Sequence, residues 1–134
     1  MSLVAIHKAN ACGCMALSLE KLFCDSDFVI KVKIEDIGKM DQTSFLIYTV
    51  NILETYKATD EAKSALQYKR LPTYSVAGSC GLNFQRDEVV VVGGNIINGQ
   101  PSIGFCHLHI QNSGEIEAQE INLRENFIKS CVSV

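Results

Sequence analysis

Six cysteines in 134 residues constrain this chain more than any other feature, and half of them fall within "ACGCMALSLEKLFC", residues 11–24. One residue separates Cys12 from Cys14 and nine separate Cys14 from Cys24, whereas Cys80, Cys106 and Cys131 stand alone. An even cysteine count in a short chain fits a disulfide framework made in an oxidising compartment, with a connectivity that spacing alone leaves open. Zinc is the competing use of thiols, but structural zinc sites take their ligands in close pairs, twice over. Here a single C-x-C is followed by isolated cysteines, so the thiols are read as bridges and the chain is expected to hold no metal of its own.

The length suits one domain with one core. With 47% hydrophobic and 20% charged residues and a net charge of −3, the chain has the make-up of a globular protein without a domain-wide basic face. Nucleic-acid binding is therefore not expected. No apolar run approaches the roughly 18 residues needed to span a bilayer, so membrane insertion is not expected either. In the opening "MSLVAIHKANA", His7 and Lys8 interrupt a short apolar stretch, while Ala9-Asn10-Ala11 has the small-x-small pattern of a signal cleavage site. Residues 1–11 are read as an N-terminal extension or leader remnant, residues 12–134 as the single domain, and the protein as secreted and monomeric.

Strand signals dominate that domain. "FVIKVKIED" alternates, with Phe28, Ile30, Val32 and Ile34 on one side and Lys31, Lys33 and Glu35 on the other. "SFLIYTVNILETYKA" is a second, longer strand whose alternation slips around Leu53, where a bulge is expected. "LQYKRLPTYSV" is a weaker strand that Pro72 assigns to an edge. "DEVVVVGGNI" is a buried strand, and Asn98-Gly99 turns the chain into a fifth, "NGQPSIGFCHLHI". "SLEKLF" suggests a short helix capped by Ser18, "NSG" at 112–114 a turn, and "INLRENFIKSC" an amphipathic C-terminal helix. Five strands with two short helices predict a mostly β domain: a curved, closed antiparallel barrel, because closure removes exposed edges.

Catalytic patterns are weak. Ser79 lacks the G-x-S-x-G frame and a readable triad partner. The pairs Asp25/Asp27 and Asp87/Glu88 suit turns and caps. His107 and His109 share a strand face and are expected to be exposed and free of metal, since no third ligand is legible. The chain is not read as an enzyme and implies no cofactor.

The order C-x-C, nine residues, C, then "FVIKVKI", "YTVNILETYKA", "SCG", "VVVVGG", "GFCHLH" and a last cysteine on a C-terminal helix resembles the N-terminal domain of the tissue inhibitors of metalloproteinases, a branch of the netrin-like modules. The resemblance runs from Cys12 to Cys131 and does not reach the second, cysteine-rich domain of full-length inhibitors. It implies an OB-type barrel and three bridges, Cys12–Cys80, Cys14–Cys106 and Cys24–Cys131. It also implies a role for the clamped N-terminus. In these inhibitors the amine and carbonyl of the first cysteine chelate the protease's catalytic zinc, and the second residue enters the specificity pocket. Carried over, the protease-binding ridge is Cys12, Gly13, Cys14, Met15 and Ala16, flanked by Ser79, Cys80 and Gly81.

Two departures bear on that role. Residues ahead of Cys12 make its nitrogen an amide, whose lone pair is delocalised and cannot bind zinc. Gly13 offers no side chain where the inhibitors carry threonine or serine, which implies weak or selective inhibition. The implied partner is an extracellular zinc metalloproteinase; the alternative is a non-inhibitory netrin-like binding module that engages another extracellular or host protein.

Overall fold

The computed structural model describes residues 14–39, 46–73 and 82–132. Helix α1 (Leu19–Asp25) starts at Ser18, whose Oγ accepts a hydrogen bond from the Lys21 N–H at 3.1 Å and satisfies one of the free donors of the first turn. It ends at Ser26, whose hydroxyl donates to the Leu22 carbonyl at 2.7 Å. The expected cap is the one that forms.

Strands β1 (Phe28–Lys39) and β2 (Leu46–Ala58) make a long antiparallel pair with register shifts between Val29 and Ile30, Lys31 and Val32, and Ile34 and Asp36. The second shift leaves Leu53 without a partner and 47% exposed, at the bulge its broken alternation predicts. Each bulge adds local twist, so the sheet curls around its inner face. Helix α2 (Asp60–Leu66), capped by the Thr59 side chain on the Ala62 N–H, was not expected; it shortens the third predicted strand to β3 (Arg70–Pro72). Strand β4 (Val89–Ile97) lies on the other side of β1, with Phe28 opposite Gly94.

The predicted fifth strand breaks in two. β5 (Gln100–Ser102) continues the hairpin from β4, the chain turns as the His107 N–H meets the Gly104 carbonyl at 3.1 Å, and β6 (His109–Ile110) returns to pair with β4. Cys106 therefore sits in a turn and not within a strand. "NSG" is likewise not a free turn. Asn112 caps α3 (Ser113–Ile121), which runs through a π-helical turn at Asn122–Asn126 into α4 (Phe127–Val132).

The closed five-stranded barrel is corrected to an open sheet, which among the described residues has six strands ordered β3-β2-β1-β4-β5 with β6 beside β4. Among the described residues its end strands, β3 and β5, are not paired with each other, and an isolated parallel bridge between Thr73 and Ile103 lies just beyond them. The reason is local. Each end strand has three residues and carries a proline, Pro72 or Pro101, with no N–H to extend a ladder.

Two cores flank the sheet. The concave face buries Phe28, Ile30, Val32, Ile34, Tyr48 and Val50 with Leu82 and Phe84. The opposite face packs Val29, Val91 and Leu108 against Phe23, Leu123 and Phe127 of the helical layer. Burial on both sides explains why β4 is an unbroken valine run. The helical layer is fastened by the Cys24–Cys131 disulfide and by Arg124, whose guanidinium makes bonds of 2.7 and 2.9 Å to the Glu54 carboxylate on β2. Beside them Lys31 lies 3.5 Å from Glu120, which accepts from the Tyr56 hydroxyl. Among the described residues no helix is long and apolar enough to cross a membrane.

Candidate functional site

The described part of the ridge is Cys14, Met15 and Ala16; Cys12, Gly13, Ser79, Cys80 and Gly81, and with them the Cys12–Cys80 pair, lie outside the described residues. Cys14 is half-buried and bonded to Cys106, with 5.3 Å between the Cα atoms. The chain then runs without regular structure to Ser18, exposing Met15 at 78%, Ala16, and Leu17 at 39%. Both ends of this short stretch are tied. The disulfide holds Cys14 to the β5–β6 turn, and the cap holds Ser18, whose carbonyl also accepts from the Leu22 N–H at 3.0 Å. Apolar side chains tethered in water on so short a span lose little further freedom when a partner covers them.

The turn that receives the disulfide adds Phe105, 39% exposed. Its ring centroid is 5.5 Å from that of His109, and its carbonyl lies 3.1 Å from His109 Nε2. His107 and His109 are half-buried, which corrects the expectation of exposed strand histidines; His107 precedes β6. Burial pushes both imidazoles below the usual 6.5, although the Phe105 carbonyl partly offsets this at His109. The buried His107 Nδ1 has no hydrogen-bond partner among the described residues. Among the described residues no group of three or more His, Cys, Asp or Glu side chains could hold a metal ion.

Leu82, the first described residue after 81, is buried in the inner core. There the Tyr48 hydroxyl donates to the Leu82 carbonyl at 2.7 Å and accepts from the Phe84 N–H at 3.2 Å. Sequence reasoning missed Tyr48, Leu17 and Phe105. Tyr48 had a signal, since a tyrosine in register with the inward-facing Val50 must find a partner for its buried hydroxyl. Leu17 and Phe105 had none beyond adjacency to cysteine-bearing segments.

The order of bridged cysteines along these strands now meets a direct comparison. The family model for tissue inhibitor of metalloproteinase matches residues 10–133. The chain belongs to the tissue inhibitor of metalloproteinase family. It is 31% identical over 98 residues to "Tissue inhibitor of metalloproteinase" of Drosophila melanogaster, which covers 73% of this chain and 45% of that protein. It is 21% identical over 126 residues to "Metalloproteinase inhibitor 3" of Scyliorhinus torazame, which covers 92% of this chain and 58% of that one. The chain thus spans about half the length of the curated relatives it matches. Within this member of the inhibitor family, Cys14–Cys106 and Cys24–Cys131 are two of the three bridges that the resemblance implied.

Proposed function

We propose that this chain is a secreted inhibitor of an extracellular zinc metalloproteinase and acts through the ridge Cys12–Ala16, flanked by Ser79–Gly81. The observation that carries the reading is the Cys14–Cys106 bond, which anchors the start of the exposed Met15–Leu17 segment to the β5–β6 turn in a member of this family. In the proposed complex Cys12 is the first residue. Its amine and carbonyl take two positions on the protease's zinc and displace the water that would attack substrate. An α-amino group with a pKa of about 7.7–8.0 supplies a neutral lone pair at little cost near neutral pH. Met15 and Ala16 lie along the cleft, and Gly13 leaves the pocket beside the metal unfilled, which makes inhibition weak or selective. The disulfides fit assembly in an oxidising, extracellular compartment.

The test compares three disulfide-intact forms against a panel of matrix metalloproteinases: the 134-residue chain, a form beginning at Cys12, and that form with Gly13→Thr. The first is expected to be inert, the second active, and the third tighter. If both trimmed forms are inert, the inhibitor reading fails and the non-inhibitory netrin-like binding module replaces it.

A further inference from the structure

The seam where the sheet stays open is also where the structure has a sizeable cavity. A space of about 450 Å³ opens between β3 and the β4–β5 hairpin, walled by Pro72, Pro101 and Ile47 and fringed by Arg70, Asn98 and Gln100. We propose that this cavity binds a small organic anion, a flat apolar body bearing one carboxylate or sulfonate. The site shares no residue with the ridge, so the proposal stands apart from protease inhibition.

Three observations converge on that ligand class. Size comes first, since ligand sites usually enclose roughly 300–1,000 Å³. The walls come second. An extended peptide entering the seam would need a run of N–H donors along each edge, and each three-residue edge strand loses one of its three to proline, so strand addition is disfavoured while flat apolar contact is offered. Charge comes third. Arg86 sits 2.7 Å from Asp36 and Arg124 is paired with Glu54, but among the described residues Arg70 has no carboxylate within ion-pairing distance. Among the described residues no acid lines the cavity either. A guanidinium is a planar fork of donors matched to a carboxylate or sulfonate. Asn98 and Gln100 add amide donors from the hairpin tip, which the left-handed φ values of Asn98 (52°) and Gly99 (78°) hold in a tight turn. Tyr68, 76% exposed at the rim, offers a ring face to the ligand's apolar body.

The probe is 8-anilinonaphthalene-1-sulfonate, titrated by fluorescence and by amide-resolved NMR into the folded, disulfide-intact protein. Sodium 2-naphthoate serves as the carboxylate arm and N-phenyl-1-naphthylamine as the uncharged one. Saturable binding is expected for both anions, with shifts at Asn98, Gly99 and Gln100. Arg70→Gln should weaken both anions roughly tenfold or more, as expected for losing a charge-assisted hydrogen bond, while leaving the uncharged compound unchanged. Tyr68→Ala, a solvent-exposed substitution independent of Arg70, should weaken all three. No saturable anion binding, an Arg70→Gln variant that binds as before, or shifts centred on Met15 and Phe105 would each overturn the proposal.

Discussion

Tyr48 holds Leu82 and Phe84 with one oxygen: its hydroxyl donates to the Leu82 carbonyl and accepts from the Phe84 N–H. Strand β2 is thereby tied to the chain where it leaves the segment containing Ser79, Cys80 and Gly81. The hydroxyl is fully buried, and burial raises its pKa above the usual 10.0, so it remains a donor at physiological pH. Tyr48→Phe keeps the ring and strands both backbone groups in the core. Chemical denaturation should show a loss of about 1–3 kcal/mol with an unchanged m-value. A variant as stable as the parent would mean that water replaces the hydroxyl.

Two glycines should respond to alanine in opposite ways. A Cβ on Gly94 would run into the Ser102 carbonyl oxygen and come within 2.9 Å of Phe28 Cζ, whereas among the described residues nothing lies within 4 Å of a Cβ on Gly38. β4 and β5 approach so closely at Gly94 that only a missing side chain fits. Gly94→Ala is expected to cost about 3 kcal/mol or more, or to prevent folding. Gly38→Ala should be neutral, or stabilise by about 0.4–1 kcal/mol through a stiffer unfolded chain. Thermal melts of both variants check the pair of signs.

The bridges are tested by mapping and by removal. A non-reducing peptide map should recover Cys14–Cys106 and Cys24–Cys131, with Cys12–Cys80 as the third pair. Cys24 and Cys131 lie 107 positions apart in the chain, so their bond closes a long loop and secures α4 to α1. Replacing both by serine should cost about 2–5 kcal/mol. Hydrogen exchange in α4 should rise before that in β1 and β4.

Acid should destabilise the fold in two stages. Burial holds His107 and His109 below 6.5, so the unfolded chain binds protons first and stability falls as the pH drops below 6.5. Arg124 hydrogen bonds hold the Glu54 carboxyl below its usual 4.5. Its contribution is therefore full above 4.5 and is lost as the pH falls through the lower folded value. The double variant His107→Gln, His109→Gln should flatten the first stage of a Tm-against-pH curve. Glu54→Gln should flatten the second while slightly lowering Tm at neutral pH, because it also breaks the bond to Arg124. A Tm that stays level on acidification through 6.5 would rule out the histidine stage.

Local rules carried the sequence a long way here. Strand periodicity located β1, β2 and β4, the slip at Leu53 located a bulge, and Ser18 located a cap, because each depends on neighbours a few residues away. The helix at Asp60–Leu66 also had its signal, a Thr59 cap followed by Asp60 and Glu61, but the apolar residues beyond it resembled a strand. Asn112 was ambiguous, since the same residue suits a turn or a helix N-cap.

What the local pattern could not supply was anything set by partners far along the chain. Closure of the sheet depended on whether β3 and β5 could bond to each other, and each of those short strands carries a proline that lacks an N–H for the purpose. Glu54 finds Arg124 seventy residues away, and the segment that begins at Cys14 is fixed to the β5–β6 turn only because Cys14 is bonded to Cys106. Composition and spacing determine which residues prefer strand, helix, bridge or water. Only chain closure in three dimensions determines which of those preferences are satisfied by one another, and so where a ridge stands and where a cavity is left open.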